Sequence, residues 1–259
     1  MLYCTESGPT NTPTVVFLHG GGVSGWSWKP EISRLPDYHC IVPDLPGHGK
    51  SPTKDPIKIT TSAEKVAELI RSKIPSGRTH VVGLSWGGQV ALQLLSTHPE
   101  LLDRIIVSGT NTSPSNSIRS LSPLLKLIMV LYGPIQNTGY LIHANMKQNG
   151  VPPEYETEFR EDTRLITADT FTQMIVESMT YPLPALGDTS GLLVVCGEEE
   201  PELIGKSARM IRGEYPSVPC VVAPGAGHMW SMERPDLFTA LVRSWIEQAP
   251  LPGELLRLP

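Results

Sequence analysis

The sequence THVVGLSWGGQVA, residues 79–91, decides the fold of this chain. A β-branched run ends at Gly83, a single serine stands in the middle of a Gly-x-Ser-x-Gly pattern, and a helical run follows at once. A sharp strand-to-helix turn strains the serine backbone, and the flanking glycines leave room for a close approach. The turn also points a helix N-terminus at the Ser85 hydroxyl, where free N–H groups favour an anion. The stretch therefore predicts a nucleophile elbow.

Two further glycine-rich motifs each follow an apolar run, as the serine motif does. His19-Gly20-Gly21-Gly22 follows an apolar run at residues 14–18, and Gly225-Ala226-Gly227-His228 follows another at residues 218–222. With the serine motif between them, the chain resembles enzymes of the α/β-hydrolase fold. The resemblance covers the chain apart from roughly residues 111 to 188.

The order of sequence patterns along the chain supports an α/β fold. Short apolar runs of the kind expected for strands covered on both faces alternate with amphipathic helical patterns, as at residues 62–74. This alternation predicts a parallel sheet with right-handed crossovers. We therefore expect an α/β fold with a mostly parallel, doubly wound sheet and an inserted helical cap.

Residues 111–188 interrupt this alternation of strand and helix patterns. They begin with a loop rich in Ser, Asn, Thr and Pro and continue with apolar residues at helical spacing. We predict a hydrolase core at residues 1–110 and 189–259, and a helical cap (lid) at residues 111–188. The cap would cover the serine and form an apolar acyl or alcohol pocket, although most of its apolar residues must pack it onto the core.

The resemblance implies a catalytic triad of Ser85, His228 and an acid. The family carries that acid as Gly-x-x-Asp after a strand, and in this chain Gly197 is followed by three glutamates. That register puts Glu200 at the aspartate position, while Glu198 or Glu199 could serve in a shifted register. At least two of the three must belong to a solvated acidic turn.

The resemblance also implies an oxyanion hole. In the family one donor is the residue after His-Gly, here Gly21, and the other is the backbone N–H of the residue after the serine, here Trp86. The alternative for the glycine loop is a flexible turn, and His19 is expected to be structural. Gly-Lys-Ser at residues 49–51 does not fit a phosphate loop, because Asp44 stands where that loop needs glycine and Pro52 prevents a helix.

Composition limits the kinds of partner that this protein is expected to bind. A net charge of -5 argues against nucleic acid, and no run of ~18 apolar residues could span a membrane. The first residues lack the features of a signal peptide, which predicts the cytoplasm. The four cysteines show no metal-ligand spacing, and Cys40, Cys196 and Cys220 fall in strand-like runs that predict buried thiols. We expect no cofactor, no metal, no membrane partner, and a monomer or small homo-oligomer acting on a small-molecule ester.

A serine at the elbow indicates acyl chemistry, since dehalogenases and epoxide hydrolases of this fold carry aspartate there. The first hypothesis is a carboxylesterase for small to medium apolar acyl groups. The second is a carbon–carbon bond hydrolase of dienoic keto-acids, or a lyase resembling the menaquinone-pathway member of the fold. Those substrates carry carboxylates and would need a cap arginine, for which Arg119, Arg160 and Arg164 are available. The third is a ligand receptor with weak hydrolase activity.

Overall fold

One sheet organises the protein. The structure, a computed structural model, describes residues 1–74, 78–115 and 117–258. Within them, eight strands follow the order β1-β3-β2-β4-β5-β6-β7-β8. The strands are β1 (Cys4–Ser7), β2 (Thr14–Leu18), β3 (His39–Pro43), β4 (Thr79–Leu84), β5 (Leu102–Ser108), β6 (Leu192–Gly197), β7 (Cys220–Ala223) and β8 (Leu256–Arg257). Strands β1 and β8 pair antiparallel at the two edges and the other pairs are parallel, which confirms the mostly parallel sheet.

Helices cover both faces of the sheet. In chain order, the helices of the described residues are α1 (Lys29–Ile32), α2 (Ile59–Lys73), α3 (Trp86–Thr97), α4 (Ser117–Tyr132), α5 (Gly139–Asn149), α6 (Glu156–Leu165), α7 (Ala168–Thr180), α8 (Glu202–Glu214), α9 (Trp230–Glu233) and α10 (Pro235–Ile246). None of these described helices is long and apolar enough to cross a membrane. Alternate residues of β2 enter different cores: Val16 packs in the core with α2, α3 and α8, and Phe17 packs in the core with α10. This two-residue period explains why the strands are apolar throughout.

The C-terminal end adds a strand that the sequence did not predict. Leu256 pairs with Val222 and Arg257 with Val221, and the backbone N–H of Leu258 donates to the carbonyl of Cys220 at 2.9 Å. Both residues of this strand are exposed and backbone hydrogen bonds hold it, so it lacks the burial that marks the other strands.

The cysteines lie where the strand pattern predicted. Cys40, Cys196 and Cys220 are buried free thiols, which confirms the prediction for these three residues. Burial raises the pKa of each thiol to about 11. These thiols are therefore protonated at neutral pH and act as small apolar side chains.

Four helices, α4 to α7, occupy the stretch between β5 and β6 that the sequence assigned to a cap. We call them the cap helices. Helix α4 packs on α7, and α5 packs on α6. The division of the chain into a core domain and a cap domain stays a prediction.

A buried carboxylate joins the cap helices to the loop after β2. Asp162 of α6 is only 7% exposed and accepts hydrogen bonds from Ser24 Oγ at 3.1 Å and from Trp26 Nε1 at 2.6 Å. The Trp26 ring also stacks on Tyr155, with 5.7 Å between the ring centroids. Burial raises the pKa of Asp162 to about 6, although both hydrogen bonds oppose the shift. The junction therefore holds a carboxyl group that titrates in mildly acidic solution.

We expect Asp162→Asn to remove one component of the pH dependence of stability. The folded-state pKa is about 6, and that of an unfolded aspartate is about 3.9. The folded state therefore binds more protons between these values, and the contribution of Asp162 to the free energy of unfolding falls as pH rises through this window. The change amounts to at most about 3 kcal/mol.

Urea unfolding of wild type and Asp162→Asn at several pH values measures this difference. The variant should gain stability relative to wild type as the pH rises from about 4 to about 6. Glu161→Gln, which changes an exposed carboxylate on the same helix, is the matched control. A difference between Asp162→Asn and wild type that does not change with pH would contradict the raised pKa.

Candidate active site

Ser85 lies in the turn between β4 and α3. Its backbone has φ 55° and ψ −112°, a combination that residues other than glycine rarely adopt. Such a conformation costs about 1–3 kcal/mol and persists only where the surroundings enforce it. The backbone N–H of Ser85 donates to the carbonyl oxygen of Ser108 at 2.8 Å, which holds the strained residue against the end of β5.

The glycines around Ser85 permit close backbone packing. A Cβ atom on Gly83 would lie 2.4 Å from the carbonyl oxygen of Gly87, and one on Gly87 would lie 2.1 Å from the carbonyl oxygen of Leu18. A side chain at either position would separate α3 from β4 or from β2. The Gly-x-Ser-x-Gly spacing thus reflects steric constraints on both sides of the serine.

A buried carboxylate holds the imidazole of His228. Glu200 Oε1 lies 2.5 Å from His228 Nδ1, and Glu200 Oε2 accepts the backbone N–H of Gly197 at 2.7 Å. The Glu200 side chain is 1% exposed, whereas the His228 side chain is 34% exposed. Since the carboxylate is the acceptor, Nδ1 carries the proton and Nε2 is left free to accept one.

The loops that carry Glu200 and His228 are tied to each other. The backbone N–H groups of Glu198 and Glu199 donate to the carbonyls of Ala223 and Ala226, at 3.0 and 2.9 Å. The Glu198 carboxylate accepts the N–H of Gly225 at 2.8 Å. These bonds leave Glu198 and Glu199 on the surface and direct only the third glutamate inward.

The predicted oxyanion donors flank the serine. Gly21 and Ser85 border the same cavity, and Trp86 begins α3 directly after Ser85. The first N–H groups of a helix have no acceptor within that helix, so the backbone N–H of Trp86 is available to a ligand. The Trp86 side chain itself is 2% exposed and packs in the core.

The cavity that Ser85 borders has a volume of about 450 Å³. His228 borders it too, although no hydrogen bond between this imidazole and the Ser85 hydroxyl occurs in the described part of the chain. The lining mixes apolar and uncharged polar side chains, among them Met129, Phe159, Ile166, Phe171, Tyr132, Gln136, Asn145, Gln148 and Asn149. Three of the amides stand at i, i+3 and i+4 on α5 and so share one face of that helix. The pocket is less apolar than the sequence predicted.

Comparison with known proteins gives the family. Residues 15–241 match the profile described as the alpha/beta hydrolase family. This chain belongs to that family. The match spans the serine elbow and the histidine loop, so the site described above lies within it.

The proteins similar to this chain include esterases. The chain is 28% identical to an AB hydrolase superfamily protein of Gibberella zeae over 256 residues, which is 95% of this chain and 84% of that protein. It is 27% identical to the pimeloyl-[acyl-carrier protein] methyl ester esterase of Yersinia pseudotuberculosis over 248 residues, 90% of this chain and 93% of that one. A solved esterase of Thermogutta terrifontis has a TM-score of 0.76 at 23% identity, covering 95% of this chain and 93% of its own, and shows the fold.

His19 holds the glycine loop of this family member in place. The backbone N–H of Leu45 donates to His19 Nε2 at 2.9 Å, so the ring proton sits on Nδ1, which donates to the carbonyl of Gly20 at 2.8 Å. Burial, together with the nearby His48, lowers the pKa of His19 to about 3. The ring is therefore neutral and bridges two loops, a structural role.

The three cap arginines lie away from the cavity. Arg160 bonds to the carbonyl of Asn137 and to Glu156, Arg119 bonds to Thr180 Oγ1, and Arg164 is exposed. No lysine or arginine is among the described residues that line the cavity. The described residues also contain no cluster of His, Cys, Asp and Glu suited to a metal ion.

Sequence reasoning missed two residues at the end of β5. Ser108 accepts the N–H of Ser85 through its carbonyl oxygen and the indole N–H of Trp230 through its hydroxyl, the latter at 2.9 Å. Gly109 has φ 60°, and a Cβ atom there would lie 2.6 Å from Glu200 Oε1 and 3.0 Å from His228 Nδ1. The glycine leaves the space that the longer glutamate occupies. In the sequence, the one sign of this arrangement is that no Asp or Glu directly follows β5.

We expect Gly109→Ala to disturb the Glu200–His228 pair. The added methyl group would press on both side chains, and φ 60° would add backbone strain. The rate at which a fluorophosphonate modifies Ser85 should fall by about tenfold or more. Gly225→Ala is the matched control, because Gly225 also has φ 60° but has no atom within 4 Å of an added Cβ. An equal loss of the modification rate in both variants, relative to wild type, would show that backbone strain rather than contact with the Glu200–His228 pair is responsible.

Proposed function

We propose that this protein is a carboxylesterase-type serine hydrolase that cleaves uncharged esters with small to medium acyl groups. The observation that carries the proposal is the buried Glu200 carboxylate, 2.5 Å from the His228 imidazole, which borders the same cavity as the strained Ser85. A serine, a histidine and an acid can perform acyl transfer when the acid orients the imidazole and the imidazole activates the serine. The esterases among the relatives support the same chemistry.

In the proposed reaction, Ser85 is the nucleophile and His228 the base. The hydroxyl of Ser85 is inert at its own pKa, so Nε2 of His228 takes its proton as the oxygen attacks the ester carbonyl. This contact forms in the substrate complex, as catalytic hydrogen bonds often do. Glu200 keeps the ring proton on Nδ1 and stabilises the imidazolium. His228 then donates its proton to the leaving alcohol, and an acyl-enzyme remains.

The proposed oxyanion hole consists of the backbone N–H groups of Gly21 and Trp86. They would stabilise the negative oxygen of each tetrahedral intermediate, and losing one such donor typically costs ~3 kcal/mol. In the second half of the reaction, His228 removes a proton from the water that attacks the acyl-enzyme, and it returns this proton to the Ser85 oxygen as the acid leaves. The start of α3 adds a favourable dipole at the same point.

The cavity limits the proposed substrate to uncharged groups. Its volume of about 450 Å³ suits a small or medium ligand. Amide and phenol side chains can hydrogen-bond to a neutral ester, but no cation lines the cavity within the described residues to pair with a substrate carboxylate. This favours the esterase over the carbon–carbon hydrolase and the lyase. The complete His–acid pair favours an enzyme over a receptor.

A ladder of p-nitrophenyl esters from acetate to palmitate tests the proposal. We expect turnover to peak at a short or medium acyl chain and Ser85→Ala to reduce it by about a millionfold, to background. Ser96→Ala, on α3 and outside the lining of the cavity, is the control. A feeble serine-dependent rate at every length would indicate another acyl or carbon–carbon substrate. A rate that survives Ser85→Ala would exclude the elbow as the catalyst.

The register of the acid can be tested separately. Glu200→Gln keeps the size of the side chain but no longer favours the catalytic tautomer, so kcat should fall by up to about 10⁴-fold. Glu198→Gln and Glu199→Gln should each change kcat little, since those side chains lie on the surface. Loss of turnover in Glu199→Gln with an active Glu200→Gln would show that the shifted register is correct.

A further inference from the structure

Two carboxamide side chains that line the cavity beside Ser85 use their NH₂ groups to bond to the protein. Gln136 Nε2 donates to the carbonyl of Ile166 at 3.2 Å. Asn149 Nδ2 donates to the carbonyl of Asn145 at 2.8 Å. A backbone carbonyl can only accept, so each bond fixes which end of the amide is the oxygen. Among the described residues, nothing donates to Gln136 Oε1 or to Asn149 Oδ1.

The oxygen of Gln136 is the more constrained of these two acceptors. Gln136 stands in the connection between α4 and α5 and is only 7% exposed. A buried acceptor without a partner costs free energy, because it has lost its hydrogen bonds to bulk water. Oε1 therefore needs a donor from whatever fills the cavity. This requirement points to a ligand that carries O–H or N–H groups.

Tyr132 supplies a hydrogen-bond donor to the same cavity. Asn145 Nδ2 donates to the Tyr132 hydroxyl oxygen at 2.9 Å, and both residues line the cavity. No described residue accepts the proton of that hydroxyl, so it is available to a ligand. Nothing described donates to Asn145 Oδ1 either. The cavity wall thus offers three carbonyl oxygens as acceptors and one O–H donor, and all of these groups are uncharged.

We propose that this wall binds hydroxyl groups, and that the substrates are neutral esters whose alcohol or acyl part carries one or more hydroxyls. The inference rests on the proposed esterase function and narrows its substrate class. The hydroxylated part would lie against the amides, and the apolar side chains of the lining would accept the rest of the molecule, namely Met129, Phe159, Ile166 and Phe171.

A hydroxyl matches the wall better than other polar groups do. It can donate to Gln136 Oε1 and accept from Tyr132, whereas an ether or a ketone cannot donate and would leave that oxygen unpaired. An ammonium group can donate, but no Asp or Glu is among the described residues that line the cavity, so its charge would be buried without a partner. The alternative occupant is water, which would make the wall hydrated but not selective.

Two pairs of matched esters test this proposal. 1-Monobutyrin differs from propyl butyrate by two hydroxyls in the alcohol part, and methyl 3-hydroxybutyrate differs from methyl butyrate by one hydroxyl in the acyl part. In at least one pair, wild type should have a kcat/KM about tenfold or more higher for the hydroxylated ester, because its partner leaves polar groups of the site unpaired. The pair that shows the preference identifies the part of the substrate that faces the wall.

The ratio of the two kcat/KM values within that pair is then compared among variants. Gln136→Met and Asn149→Leu each replace an unpaired carbonyl oxygen by an apolar group of similar size, and each should lower the ratio by about tenfold. Lys147→Leu is the matched control and should leave the ratio unchanged, because Lys147 is an exposed residue of α5 outside the cavity lining. The ratio does not depend on the fraction of a variant that folds, and a purely structural defect would slow both esters alike.

The possible outcomes separate this inference from the proposed function. A wild-type ratio near one in both pairs, or a ratio that neither Gln136→Met nor Asn149→Leu lowers, would overturn the inference and assign the wall to bound water. The esterase function would then stand, provided that Ser85→Ala abolishes hydrolysis. Hydrolysis that does not depend on Ser85, or none by wild type on any of the four esters, would reject the proposed function and this inference with it.

Discussion

The candidate site depends on one backbone hydrogen bond, from the N–H of Ser85 to the carbonyl oxygen of Ser108. It joins the turn after β4 to the last residue of β5 and keeps Ser85 in a conformation that is unfavourable on its own. The hydroxyl of Ser108 accepts the indole N–H of Trp230, two residues beyond His228. One residue therefore fixes the serine turn and the histidine loop relative to each other.

The sequence could predict the parts of the site that follow a strand. Parallel strands end at a common edge of the sheet, so residues placed just after them come together whatever their distance in sequence. The structure brings Glu200 and His228 into contact for this reason, although they stand after β6 and β7. The elbow can be recognised from sequence because close backbone contacts beside Ser85 require glycine two residues before and two residues after it.

Other parts depend on contacts that no local pattern contains. Gly109 matters because a carboxylate from another loop occupies the space beside it. Strand β8 is held by two backbone pairings and shows no periodicity. The polar wall of the cavity is formed by Asn145, Gln148 and Asn149, whose spacing in sequence equally fits a solvent-exposed helix face. Only the docking of α5 over the serine distinguishes the two.

Trp26 belongs to the core in sequence but contacts the cap helices with both its ring and its N–H group. The ring stacks on Tyr155 and meets Phe159 edge-on, and the N–H bonds to Asp162. Any opening of the cap helices would expose this indole to water and break its hydrogen bond. The emission of Trp26 would thus report the position of the cap helices, and it can be isolated as the difference between wild type and Trp26→Phe.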